Sequence, residues 1–262
     1  MNLVNVKVHA PTATILMDRG DHGNALDERL MEDLAQALDD LHQEKRVRAI
    51  ILTGSGANFC TGMDLHELHG HSKRDPLDAL PHWIEQWQRL AELTERFLRF
   101  PKPVIAAVDG QASGAGFSLA LACDMIVASN NAQFTSTAIQ RGMVAGVLAP
   151  LLTFRVGGAI AARLVMTGQV LTATEAARIG FVTRIASSDQ IWVAANELAQ
   201  TCAVWPASPM AATKRLLNES IGEAIFTHLA VGAATAATSC STEVAAEGLA
   251  AFVEKRSASW PH

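Results

Sequence analysis

Two stretches of the chain hold residues that could do chemistry. The first is the apolar run Val104 to Val108, then Asp109-Gly110, the small-residue cluster Ala112-Ser113-Gly114-Ala115-Gly116, and the helical run Phe117 to Cys123. A buried strand, a glycine-rich turn and a helix start put free backbone N–H groups at the positive end of a helix dipole, a cradle for an anion or oxyanion. The spacing is neither GxGxxG nor GxxxxGK[ST], which argues against a nucleotide site. The bland alternative is a turn that serves only close strand–helix packing. The second stretch is His66-Glu67-Leu68-His69-Gly70-His71. HELH is one residue short of HExxH, the spacing that sets two zinc ligands on one helix face. Three readings therefore stay open: a loop metal site, an exposed polar lid beside Lys73, Arg74 and Asp75, or one imidazole as an acid or base near neutral pH.

The elements that must position these residues follow from hydrophobic periodicity. Residues 4–8 alternate as a half-buried strand, 12–17 read as a second strand, and 18–24 are a loop by composition. Asp27 suits the N-cap of a helix carrying Leu30, Leu34, Leu38 and Leu41 on one face. Strands are expected at 47–52, 104–108, 124–128 and 182–185, and helices at 82–99, 148–155 and 158–167. Trp83, Trp87 and Leu90 share a helix face, which reads as core or lid packing. Asp64 suits a backbone-bonding role at the turn into the next segment. Thr172 caps a further helix, for which Gly180 suits the left-handed end position. From about residue 190 the pattern is helical, broken at Trp205-Pro206 and Ser208-Pro209. Strands alternating with helices, then a helical tail, imply an α/β core over 1–190 and a helical segment over 191–262.

Composition narrows the function classes. The chain has 262 residues, 49% hydrophobic and 18% charged, enough for one large core. A net charge of −5 supplies no global basic surface for nucleic acid. No apolar run approaches a membrane span, and the N-terminus lacks the features of a signal peptide. Cys60, Cys123, Cys202 and Cys240 are far apart without a CxxC, as expected of reduced thiols in a cytoplasmic protein. Tyrosine is absent, which removes one common acid and oxyanion donor.

Several separated segments together resemble the crotonase superfamily, the enoyl-CoA hydratase/isomerases. These are Asp18-Arg19 through Asn24-Ala25-Leu26, Phe59-Cys60-Thr61-Gly62-Met63-Asp64-Leu65, Pro101 to Gly110, and Glu247-Gly248 with Phe252-Val253-Glu254-Lys255-Arg256. The resemblance covers nearly the whole chain. It implies an α/β fold, a ClpP-like spiral of ββα units with an α-helical C-terminal trimerisation segment, and hence a homotrimer or hexamer. It also implies an acyl-CoA thioester as ligand, with no cofactor apart from that coenzyme A and no metal. Backbone N–H groups at Met63 and Ala115 would polarise the thioester carbonyl, and His22, Leu65, Gly114 and Gly146 would contact the coenzyme A ligand.

The departures from the family pattern bear on the reaction. The two positions where hydratases carry glutamates hold Ser118 and Ala138, and neither side chain exchanges protons near neutral pH as a carboxylate does. Ordinary two-glutamate hydration is therefore not expected. Asp64-Leu65-His66-Glu67-Leu68, with Arg74-Asp75-Pro76-Leu77 behind it, resembles methylmalonyl-CoA decarboxylase-like members, in which a His here faces the acyl group. That makes His66 the expected polar catalyst, although Ala145 stands where those members place a tyrosine. Gln140 and Arg141 are expected at the surface or a subunit contact. The implied function is acyl-CoA lyase or isomerase chemistry on an enolate, with a non-catalytic acyl-CoA binder as the alternative.

Overall fold

The computed structural model of the chain describes residues 2–220 and 222–260, so the outer ends of the two expected segments, residues 1 and 261–262, lie outside the described residues. In chain order the elements are β1 (Val4–His9), β2 (Thr12–Met17), α1 (Glu28–Gln43), β3 (Ala49–Gly54), α2 (Leu65–Ser72), α3 (Pro76–Arg99), β4 (Val104–Val108), β5 (Gln111–Ser113), α4 (Ala115–Ala122), β6 (Met125–Ser129), β7 (Gln133–Thr135), α5 (Leu148–Val156), α6 (Gly158–Thr167), β8 (Leu171–Thr172), α7 (Ala173–Ile179), β9 (Arg184–Ala186), α8 (Ile191–Ala203), α9 (Ala207–Arg215), α10 (Glu223–Cys240) and α11 (Glu243–Val253).

β1-β2-β3-β4-β6-β9 form a six-stranded sheet, parallel except for the antiparallel β1–β2 pair. β5-β7-β8 form a smaller second sheet. Isolated parallel bridges between Cys60 and Ala112 and between Leu26 and Met63 continue that second layer beyond β5. Each pass of the chain therefore leaves one strand in the large sheet and one extended segment in the small layer before it enters a helix. β2 is followed by Leu26 and α1, β3 by residues 60–63 and α2, β4 by β5 and α4, and β6 by β7 and α5. This is the expected ββα spiral, and its helix starts all emerge from the small layer.

Burial explains why the strands read as near-continuous apolar runs. Ala49, Ile51, Ile105, Ala107 and Val127 point to one face of the large sheet and pack under Ile191, Ala195 and Ala199 of α8. Ile50, Leu52, Val104, Ala106 and Val108 point to the other face, into the main core. Apart from Ser118, α4 is apolar around its whole circumference, and every one of its residues is buried, as befits a helix enclosed on all sides. Arg155 of α5 closes its C-terminal end: Nε donates to Leu121 O and Nη2 to Cys123 O, at 2.9 and 2.8 Å. α10 lies along α3, and α11 returns against α2.

The caps match the sequence where a side chain specifies them. Asp27 accepts from Leu30 N at 2.7 Å, and Thr172 forms a capping box with Glu175. The His-rich stretch differs, since α2 is a helix rather than a loop. α3 begins at Pro76, six residues before the expected start. A proline at the first helical position lacks only an N–H that would be free there in any case, and Asp75 caps the turn by accepting from Leu77 N. Pro209 does not break the chain for the same reason: it sits in the first turn of α9. The second sheet was not legible as strands, because its members are only two or three residues long.

Candidate active site

Residues 60–63 are held from both sides by main-chain bonds. Cys60 N donates to Gln111 O and Ser113 N to Cys60 O, both at 3.0 Å, which ties the segment to β5. Leu26 N donates to Gly62 O at 2.7 Å and Asp64 N to Leu26 O at 2.9 Å. In a parallel bridge one residue takes both bonds, and here it is Leu26, so the Met63 N–H is not used by its neighbour. The Ala115 N–H is the first of α4 and lacks an intrahelical acceptor by geometry. Neither group donates to a backbone acceptor among the described residues.

Two glycines bring these donors together. Gly62 has φ +103°, and a Cβ placed on it would stand 3.4 Å from Ala115 N and 2.8 Å from Ser113 O. A Cβ on Gly116 would stand 2.2 Å from Cys60 O, so the first turn of α4 rests on the backbone of residue 60 with no room for a side chain. The positive end of a fully buried helix and a free strand N–H thus converge on one point.

That point is the wall of a cavity of about 50 Å³. Thr61, Met63 and Leu65 form one side and Gly114, Ala115 and Ser118 another. Thr137 and Ala138, the 143–148 segment, and Trp87 and Leu90 of α3 complete it. Its polar side chains are the hydroxyls of Thr61, Ser118 and Thr137 and the indole of Trp87; among the described residues no carboxylate, imidazole, amine, guanidinium or thiol belongs to the lining. Ser118 is fully buried, and its hydroxyl donates to Gly114 O at 3.2 Å. The buried Cys60 lies behind the wall, where loss of solvation pushes its thiol up to about 12, well outside nucleophile range.

The structure thus brings Met63, Ala115, Leu65, Gly114 and Gly146 to one cavity, and leaves two other expected residues outside it. His22 is exposed in the turn Gly20–His22. The loop does abut the site, since Thr61 N donates to Gly23 O at 3.0 Å. His66, the expected catalyst, is exposed and does not line the cavity. Its ring instead meets Phe252 of α11 edge-on, with centroids 5.8 Å apart. The cause is the cap of α2: Asp64 accepts from His66 N at 2.9 Å and Glu67 N at 3.2 Å, which starts the helix at Leu65. Leu65 and Leu68 then face inward on one helical stripe and His66 faces outward. His69 and His71 do not converge with His66, and His71 stacks on His82 at 5.1 Å. Among the described residues no three His, Cys, Asp or Glu side chains are grouped to hold a metal ion, and no helix is long and apolar enough to cross a membrane.

A polar network braces the entrance segments. Arg19 pairs with Asp64 at 2.8 Å and Asp27 at 3.4 Å, joining the caps of α1 and α2. Burial pushes the Asp64 carboxyl up, but the Arg19 guanidinium and the backbone N–H groups of Glu67 and His66 outweigh it, so the group sits below its ordinary value. Glu67 next door is raised, first by burial and then by the charges of Asp27, Asp64 and Glu28; its buried Oε2 has no hydrogen-bond partner among the described residues.

Trp87, Leu90, Thr61, Thr137 and Met143 were not expected in the site. The Trp87–Leu90 stripe was visible as an apolar helix face, but nothing in periodicity says that such a face ends at a cavity. Thr137 and Met143 belong to irregular segments that carry no periodic signal.

Comparison with known proteins follows the same lines. The family described as Enoyl-CoA hydratase/isomerase matches residues 8–262. A putative enoyl-CoA hydratase of Thermus thermophilus is 33% identical over 244 residues, covering 93% of this chain and 95% of that protein. A probable enoyl-CoA hydratase of Rhizobium meliloti is 34% identical over 261 residues, covering 98% and 97%. The crystal structure of an enoyl-CoA hydratase/isomerase from Xanthobacter autotrophicus Py2 superposes with a TM-score of 0.86 at 28% identity, over 96% of this chain and 91% of that one.

Proposed function

Because the chain belongs to the enoyl-CoA hydratase/isomerase family, we propose that it binds an acyl-CoA thioester with the carbonyl oxygen between the Met63 and Ala115 N–H groups. The enolate that forms there is held by both donors and by the helix end behind Ala115. Fixed backbone donors of this kind are each worth about 10²–10³ in rate. Leu65, Gly114 and Gly146 line the thioester end in this reading, and the loop carrying His22 borders the coenzyme A. No further cofactor is required. A cytoplasmic homotrimer or hexamer goes with the same reading, and light scattering on the purified protein tests the assembly.

The observation that supports a particular reaction is a lining without a titratable side chain among the described residues. Hydration of an enoyl thioester needs one group to take a proton from water and another to deliver one to carbon. The Ser118 hydroxyl is committed to Gly114 O, and Ala138 has no proton to exchange. The chemistry that suits such a site is one in which the substrate forms the enolate without a base. An acyl-CoA bearing a carboxylate on its α-carbon does this: the C–C bond breaks, carbon dioxide leaves, the electron pair enters the enolate, and water protonates the α-carbon, its hydroxide combining with carbon dioxide as bicarbonate. A lyase is therefore favoured over an isomerase, which must also move a proton. The same lining favours, as a second reading, a protein that binds acyl-CoA without turning it over. His66 takes part in neither.

The test pairs a crotonyl-CoA hydration assay with calorimetric titration of acyl-CoAs and a carbon dioxide assay on malonyl-type thioesters. Binding with negligible hydration is expected. Carbon dioxide release then marks the lyase, and its absence marks the binder. Rapid crotonyl-CoA hydration would overturn the base-free reading, and failure to bind any acyl-CoA would overturn both.

A further inference from the structure

The cavity that Met63 and Ala115 border has two large, buried side chains in its wall. Trp87 of α3 and Met143 are 6% and 8% exposed, and both belong to the lining. By the scale on which a cavity of about 150 Å³ takes a six-carbon ring, the cavity of about 50 Å³ has room for about two carbons, the size of a short acyl group. We propose that Trp87 and Met143 make this a short-acyl site, with Cys240 of α10 positioning them from behind; the proposal rests on the acyl-CoA reading above.

Three contacts hold the wall in place. Cys240 Sγ lies 4.0 Å from Met143 Sδ. The buried indole N–H of Trp87 faces the same thiol without closing a hydrogen bond of good geometry. α10 cannot retreat from or approach the 143–148 segment freely, because Gly146 and Gly232 meet backbone to backbone. A Cβ on Gly146 would stand 1.9 Å from Gly232 O, and one on Gly232 would stand 2.0 Å from Gly146 O. Close-packed walls of this kind do not take in an extra methylene freely. Each carbon beyond the available space therefore presses on this wall, of which Trp87 and Met143 are the members that Cys240 backs.

The experiment is calorimetric titration of acetyl-, butyryl-, octanoyl- and lauroyl-CoA against wild type, Trp87→Ala, Met143→Ala and Cys240→Ala. Wild type is expected to bind butyryl-CoA at least about tenfold tighter than octanoyl-CoA, the scale on which an apolar pocket discriminates chain length. Trp87→Ala should recover at least about tenfold of the octanoyl-CoA affinity, and Met143→Ala a smaller part. Cys240→Ala should raise the octanoyl-to-acetyl affinity ratio, whereas a merely structural role would weaken all four ligands alike and would overturn the part given to Cys240. Equal wild-type affinity for butyryl- and octanoyl-CoA overturns the short-acyl proposal and leaves the acyl-CoA reading intact. No binding by any of the four overturns the acyl-CoA reading itself. If Trp87→Ala does not fold, Met143→Ala decides: folded protein with no gain for octanoyl-CoA overturns the proposal.

Discussion

Replacing Gly116 by Ala tests whether backbone contact between α4 and residue 60 is what aligns the two donors. The added Cβ would stand 2.2 Å from Cys60 O and 2.7 Å from both Cys60 C and Cβ. Real Cβ atoms essentially never come within 3.0 Å of such neighbours, so the helix start or the strand must give way by about 0.8 Å. No flexible side chain can absorb the shift, because the obstacle is main chain on one side and a fully buried helix on the other. Overpacking of this order costs about 1–3 kcal/mol, which for a chain of this size is a fall of about 2–4 °C in Tm per kcal/mol. The same displacement moves Ala115 N away from Met63 N, and misplacing a reacting group by about 1 Å costs on the order of 10² in rate. Gly70→Ala is the matched control: it lies in α2 with nothing within 4 Å of the new Cβ. It should be neutral or stabilising by up to about 1 kcal/mol. Thermal unfolding reads the first quantity, and carbon dioxide release from a malonyl-type thioester, with acetyl-CoA titration alongside, reads the second. A folded Gly116→Ala protein with unchanged Tm and unchanged affinity would refute the reasoning.

Three further outcomes follow from side-chain chemistry. Glu67 is raised above its ordinary 4.5, so the folded state holds its proton more tightly than the unfolded chain. Its contribution is complete below the unfolded value and is lost as pH rises through the folded one. Glu67→Gln should therefore have the higher Tm near neutral pH, with the gap closing as pH falls toward 4; equal melting curves across that window would count against the burial argument. Lys214 is 6% exposed and donates to Asp124 Oδ2 at 2.7 Å, Phe97 O at 3.1 Å and Lys102 O at 3.2 Å. Lys214→Met strands the Asp124 carboxylate and should cost about 3–5 kcal/mol in urea unfolding, a prediction that a loss under about 1 kcal/mol would defeat. His66→Ala should leave acyl-CoA affinity and any turnover within about twofold, because the ring faces Phe252 rather than the cavity; a loss of activity on a folded protein would return His66 to the site.

Much of this architecture was legible where one residue type does one local job. Asp27 and Thr172 cap the helices they were expected to cap, and β4 and α6 fall where their apolar runs place them. The starting residue of α4 was read two positions late, because Ala115 and Gly116 look like turn residues until Gly114 is seen at φ +51°. β5, β7 and β8 carry too few residues to show a period of two, and their pairing is set by the spiral rather than by local preference. Within the site, the donors at Met63 and Ala115 came from family resemblance, and the structure adds the reason they converge. The misplacement of His66 has a simple origin. A loop could have turned that ring either way, whereas a helix begun by the Asp64 cap fixes it a third of a turn from Leu65.

The two converging main-chain donors have a consequence for how such a protein can be probed. An alanine scan replaces side chains and leaves every N–H where it was, so it would report the buried Met63 side chain, nothing at Ala115, and the N–H of neither. What determines the arrangement is a set of vacancies at Gly62, Gly116, Gly146 and Gly232, places where no Cβ can stand. Scanning glycine to alanine, or exchanging single amides for esters by chemical synthesis, would register what an ordinary scan cannot. The same property separates two histories that are usually joined. Side chains that move protons can be exchanged one at a time above this floor, while the pair of free main-chain N–H groups persists as long as the vacancies do.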